Sequence, residues 1–215
     1  MNQTRRSAGE LRGSPETREA ILDATDHLLA TRGFRKVTMD DIAAVAGVSR
    51  RTVYMYFPSK EEVGLSSIDR VVENTHRRLQ EIAAGAGDPA AILREMLIAR
   101  VLYRIDSVQP YRQSLDELFE AVRPAYMERR RRQWGREVEI IASVLETGRK
   151  RRRLAFDDDA TSTAVTLIQA TNAFLPYSLS AQEIGNRNQV ETGIRRMADL
   201  LLKSLTRPIK NSPSI

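Results

Sequence analysis

Apolar residues recur at spacings of three and four along nearly the whole chain, and no segment alternates β-branched with polar residues for long enough to make a strand. A chain patterned this way has to bury helical stripes against one another, so the architecture predicted is all-α. Start and stop signals divide it into about nine helices. Ser14, Pro15 and Glu16 open the first. They supply a capping hydroxyl, a preset φ at the first helical position and a carboxylate that complements the dipole. Ile21, Ala24, Leu28 and Leu29 form its buried stripe, and Gly33 ends it. Thr38 with Asp41 makes a capping box for a short second helix through Ala46, and Ser49 caps a third that ends near Phe57. Pro58 and Ser59, with Glu62 three residues on, open a fourth that runs past Ile82.

The break AAGAGDP at 83–89 precedes a helix over about 90–104. SVQP reads as a turn, followed by a short helix stopped before Pro124, a long helix over about 125–149 and the loop RRRLAFDDD. Two last helices are predicted over about 159–179 and 189–205. The domain division falls near residue 62. A three-helix domain over 15–62 is followed by a larger helical domain over 63–206, and residues 1–14 and 207–215 read as a disordered basic arm and a disordered tail.

Several function classes fall away. The 215 residues contain no cysteine, which removes disulfides and thiolate metal sites and suits a reducing cytoplasm. No apolar run approaches the roughly 18 residues of a membrane span, and the N-terminus lacks a secretory apolar region. There is no G-x-S-x-G, P-loop or dinucleotide fingerprint, and His27 and His76 have no metal-ligand spacing. No catalytic residue, metal or cofactor is therefore expected. The net charge of +6 suits an anionic partner, but its location matters. Residues 1–60 carry ten basic and seven acidic side chains, whereas 123–153 carry eleven and four. The runs at 129–132 and 149–153 hold most of the excess; they read as a solvated face and loop, with an anionic effector or an added nucleic-acid contact as the alternative.

One stretch resists a purely structural explanation. GVSRRTVYMYFPSK, residues 47–60, puts two arginines, a threonine and two tyrosines on one short helix. The second and third helices are joined only by AGVS, with Gly47 where a left-handed residue is needed. Ile42, Ala46, Val48 and Val53 turn inward, and Ala43 is small at the crossing. The outer face then carries Arg50, Arg51, Thr52, Tyr54 and Tyr56. Arginine grips guanine O6 and N7, threonine meets a thymine methyl, and tyrosine hydroxyls bond phosphate. The third helix is thus built to enter a DNA major groove.

TMDDIAAVAGVSRRTVYMYFPSKEEV resembles the DNA-binding domain of TetR-family transcriptional regulators. The match covers about residues 16–65 and rests on Thr38, the DDIA start, AGVS, the YMYF run and the SK that opens the fourth helix. The resemblance implies that Thr38, Tyr54, Tyr56 and Lys60 touch phosphates and that Arg50, Arg51 and Thr52 lie toward the bases. Ser49, at the cap of that helix, joins the expected DNA-facing set. Minor-groove contact by Arg5, Arg6 and Arg12 of the arm is a lesser alternative to simple solvation.

The resemblance also implies a homodimer, a double-stranded operator and a small-molecule effector that releases a repressor. An activator or architectural protein without an effector cavity is the alternative. For the effector, mainly apolar, the expected contacts are His76, Arg100, Tyr103, Phe119 and Phe174, with an acidic group meeting Arg100 or Arg104. His76 falls, by ungapped count, where the tetracycline repressor has a drug-contacting histidine. Val190, Ile194, Met197, Leu201 and Leu205 make a stripe at helical spacing, and Ile168 and Leu175 lie on the preceding helix. These seven are the expected subunit interface, with some of the stripe also burying against its own subunit.

Overall fold

The computed structural model describes residues 14–206, and the arm with Arg5, Arg6 and Arg12 and the tail over 207–215 lie outside the described residues. Among those described there are nine α-helices and no strand: α1 (Pro15–Arg32), α2 (Met39–Ala46), α3 (Arg50–Tyr56), α4 (Lys60–Ala83), α5 (Pro89–Val108), α6 (Leu115–Lys150), α7 (Ala160–Thr171), α8 (Ala181–Gly185) and α9 (Arg187–Leu205). No helix among them is long and apolar enough to cross a membrane. They group into two compact units. Of the described residues, one holds those up to Arg70 together with Pro110–Tyr126; the other holds Val71–Gln109 and those from Met127 onward.

In the first unit the caps form as their residue types require. The Ser14 hydroxyl accepts from Thr17 N at 3.2 Å. Thr38 and Asp41 make a reciprocal box, Asp41 N donating to Thr38 Oγ1 at 3.2 Å and Thr38 N to Asp41 Oδ2 at 3.0 Å. Gly47 sits in the left-handed region at φ 67°, where a Cβ would strain the backbone. The core joins Ile21, Leu22 and Leu28 of α1 to Met39, Ile42 and Ala43 of α2, with Val37, Val53, Phe57 and Val63 completing it. A second tie is ionic. Arg70 of α4 donates to Glu19, Asp23 and Asp26, all on α1.

The second unit packs α5 against α9, with α7 and α8 closing onto α9. Leu93, Met96, Leu97, Val101, Ile105, Ile141, Leu145, Ile168 and Ile194 are fully buried. Gly193 lets the Phe174 ring lie against α9, because a Cβ there would come within 2.7 Å of the ring. The arginine run at 149–153 has structural work: Arg149 lies 4.0 Å over the Phe156 ring, Arg151 donates to the Gly87 carbonyl and Arg153 pairs with Asp88 at 2.8 Å. In the 129–132 run, Arg130 donates to the Tyr177 hydroxyl at 2.7 Å and Arg131 pairs with Glu128.

Three sequence expectations need correction. α6 runs unbroken through Pro124 instead of starting after it. Proline removes the N–H that would serve the Glu120 carbonyl, but Glu120, Arg123, Pro124 and Ala125 are all exposed, where solvent can offset the lost bond. α5 continues to Val108 and a 3₁₀ segment, Gln109–Ser114, replaces the expected turn. α7 stops at Thr171, because Leu175 precedes Pro176 and is extended, at φ −86° and ψ 151°. Ser180 and Glu183 then box the short α8, which the sequence reading missed.

The apolar stripe of α9 serves its own chain as well. Val190, Ile194 and Leu205, with Ile168 and Leu175, are buried within their own chain. Five of the seven residues expected between subunits thus contribute to the core of the second unit. Met197 and Leu201 are half-buried, and Leu200 is 64% exposed.

Candidate nucleic-acid interface and buried polar cluster

α3 is a seven-residue helix whose position is set from behind. Val53 is its buried anchor, at 0% exposure, while Arg50, Arg51, Tyr54 and Met55 are exposed and Thr52 and Tyr56 are half-buried. The turn from α2 is closed by Val48 N donating to Ala43 O at 3.0 Å, and Ser49 caps α3 by accepting from Thr52 N at 3.0 Å. The outward set is therefore held on a short rigid element.

Arg50 is preorganised. Its Nη1 lies 3.1 Å from Asp40 Oδ2 and its guanidinium 5.5 Å from the centre of the Tyr54 ring. Tyr54 foremost, and then Asp40, raise its pKa further above the ordinary arginine value. Asp40 was missed at the sequence level, where the paired aspartates read only as a helix start. Thr38 is exposed, with its hydroxyl donating to Asp41 Oδ2 at 2.7 Å. That bond, more than the neighbouring Arg32, holds the Asp41 carboxyl below its usual range.

Two residues expected to touch phosphate are turned elsewhere. The Tyr56 hydroxyl donates to the Ser14 carbonyl at 3.1 Å, tying the end of α3 to the start of α1. Lys60 Nζ donates to the carbonyls of Phe34 at 3.0 Å and Arg35 at 3.4 Å, and lies 4.6 Å from the centre of the Phe34 ring. Beside it is an open hollow of about 360 Å³ lined by Phe34, Arg35, Lys60, Glu117, Glu120 and Ala121. Arg35 pairs there with both glutamates, so its charges already answer one another.

The second unit holds a polar cluster in its interior. Arg100 is 2% exposed; its Nε donates to Glu137 Oε1 at 2.5 Å, Nη1 to Thr171 Oγ1 at 2.7 Å and Nη2 to Asn172 Oδ1 at 2.8 Å. Arg104 reaches both Glu137 oxygens at 3.1 Å. Burial opposes ionisation of Glu137, yet Arg100 and Arg104 prevail and hold its carboxyl far below the usual range. The two arginines expected to meet an acidic effector group thus already share an internal carboxylate. Glu137 lies 37 residues from Arg100, and no local pattern announces such a pair.

His76 is 1% exposed and neither ring nitrogen has a hydrogen-bond partner. Tyr103 is half-buried on α5, and Phe174 packs over Gly193. Phe119 belongs to the first unit, where it meets Tyr126 edge to face at 5.4 Å.

Residues 21–64 match the family described as bacterial regulatory proteins, tetR family. Over 78 residues the chain is 45% identical to the HTH-type transcriptional regulator EthR of Mycobacterium tuberculosis, covering 36% of either chain. Over 98 residues it is 35% identical to the regulator BetI of Rhizobium meliloti, covering 45% of this chain and 46% of BetI. The matched stretch thus spans between a third and a half of the length of these relatives, which are transcriptional regulators and not enzymes. Over nearly full length the fold resembles that of a transcriptional regulator from Cytophaga hutchinsonii, at TM-score 0.70 and 20% identity, covering 88% of this chain and 98% of that one. It also resembles FadR of Bacillus subtilis, solved with stearoyl-CoA, at TM-score 0.60 and 15% identity, covering 86% and 97%. The family match falls on α2, α3 and their flanks, where the outward arginines and the left-handed Gly47 lie. Residues 21–64, which hold the helix–turn–helix, are thus similar to the bacterial regulatory proteins of the tetR family.

Proposed function

We propose that the protein is a cytoplasmic transcriptional regulator that binds a palindromic operator as a homodimer, and that it is a repressor released by a small molecule. The observation that carries the reading is the outer face of α3. Arg50, Arg51 and Tyr54 stand exposed on a helix whose buried anchor is Val53, with Asp40 steering Arg50. In this reading α3 enters the major groove and Arg50 and Arg51 address base edges, while Thr38, Ser49, Thr52 and Tyr54 contact the backbone or bases nearby. Tyr56 and Lys60 act first as braces of the reading head, given the carbonyls they hold.

A palindromic site requires two such heads about 34–36 Å apart, which is the argument for a dimer. The surface offered for it is the outer side of α9, with Leu200, Leu201 and Met197. The second unit receives the effector, with His76 and Arg100 among its polar contacts and Tyr103 and Phe174 among its apolar ones. Phe119, expected among these contacts, belongs to the first unit.

The test is a mobility shift with the DNA upstream of the protein's own gene. Arg50→Ala is expected to weaken specific binding by about 1–3 kcal/mol, the worth of a bidentate guanine contact. Unchanged binding in both Arg50→Ala and Arg51→Ala refutes base readout by α3.

A further inference from the structure

We propose that the ligand of the second unit is a monoanion, an apolar molecule whose single negatively charged head is received by the Arg100–Glu137–Arg104 cluster beside His76. This deepens the effector-responsive reading above and rests on it.

The first support is a charge count. Arg100 and Arg104 bring two positive charges into the interior and Glu137 returns one. Burial costs several kcal/mol per ion, and attraction offsets it only where charges are matched. The other ion pair that acts on His76, Arg136 with Glu73 at 2.7 Å, is half-exposed and balanced within itself, so it does not supply the missing negative charge. The Tyr177 hydroxyl is engaged by Arg130, and burial foremost pushes its pKa up, so it stays neutral.

The second support is His76. Burial lowers its pKa; Arg104 and Arg136 act the same way, against Glu137 and Glu73. The imidazole is therefore neutral, with one N–H to donate and one nitrogen to accept, and both lack partners. An anionic oxygen accepts that N–H and brings the missing charge at once. A water or a neutral hydroxyl satisfies the nitrogen and leaves the charge uncompensated. The apolar body follows from α5, where the arginines share the buried side with Met96, Leu97, Val101 and Ile105.

The experiment compares carboxylates with matched primary alcohols on the full chain: octanoate, dodecanoate, hexadecanoate and phenylacetate, by thermal shift and calorimetry. At least one carboxylate is expected to bind about tenfold or more tightly than its alcohol, the scale of one charge-assisted hydrogen bond. Arg104→Gln, which leaves the Arg100–Glu137 pair intact, is expected to erase that preference, and Arg104→Lys to keep it. The proposal is overturned if no carboxylate outbinds its alcohol, or if the preference survives Arg104→Gln. Should Arg104→Gln fail to fold by circular dichroism, the comparison in the unmodified chain decides. A carboxylate that binds without changing operator affinity keeps the anion site and sinks the effector reading; an alcohol that alone releases DNA does the reverse.

Discussion

Glu137→Gln isolates the cluster that holds α5 to α6 inside the second unit. The carboxylate accepts three hydrogen bonds, one from Arg100 and two from Arg104, and is nearly fully buried. Glutamine keeps the volume and one acceptor oxygen. It loses the charge, and its NH₂ faces guanidinium donors where an oxygen had accepted. Two buried cations then remain without a counter-charge, a loss of about 3–5 kcal/mol. For a chain of ordinary stability this is a third or more of the total. With a urea slope of about 2–3 kcal/mol/M, the midpoint moves down by about 1–2 M, read by circular dichroism and by the fluorescence of Trp134. Glu81→Gln is the control, because its pair with Arg78 is exposed and such pairs are worth about 0–1 kcal/mol. The pH dependence follows with a definite sign. Folding depresses the Glu137 carboxyl below its unfolded value of about 4.3, so the contribution is complete above that pH and is lost as pH falls below it. The gap between the native chain and Glu137→Gln therefore narrows in acid. A shift no larger than that of Glu81→Gln at neutral pH refutes the reasoning.

Gly47→Ala is expected to cost about 1–2 kcal/mol from backbone strain alone, since φ is 67° and an added Cβ meets nothing within 4 Å. Gly47→Asn should cost less, by the same urea measurement. Leu200→Glu, on an exposed side chain of α9, is expected to leave helicity intact and lower the mass seen by light scattering toward that of a monomer. An unchanged dimer moves the interface off this face. Ile194→Glu, at 0% exposure, is expected instead to cost several kcal/mol of stability whatever the association state.

What the sequence made legible was what neighbours within four residues decide. The Thr38–Asp41 box, the Ser49 cap and the left-handed Gly47 are such features, and together they are enough to identify the helix–turn–helix. Periodicity likewise marked a buried face on α9, but not what buries it. Ile194 and Val190 pack into their own unit because α5 and α7 reach them first, and spacing carries no information about that competition. Pro124 misled for a related reason: its cost depends on whether the orphaned carbonyl sees water. Pro176 was a stop signal present in the sequence and passed over. The Arg100–Glu137 pair and the Lys60 tether depend on tertiary neighbours 37 and 26 residues away, where residue type alone does not choose a partner.

On the proposed function, the inward turn of Lys60 has a thermodynamic consequence for operator binding. An ammonium spent on two carbonyls and an aromatic face displaces no ion from the atmosphere of a duplex. If Arg50 and Arg51 are the cations that meet phosphates or bases, each head liberates about two counterions and a pair about four. The logarithm of affinity should then fall against the logarithm of salt with a slope near −4, about a hundredfold between 50 and 200 mM. Restoring Lys60 to the phosphates on both heads would steepen that slope by about two. The tether therefore limits the non-specific part of the attraction. Bulk chromosomal DNA becomes a weaker competitor, and the choice of site rests more heavily on the few side chains that read bases.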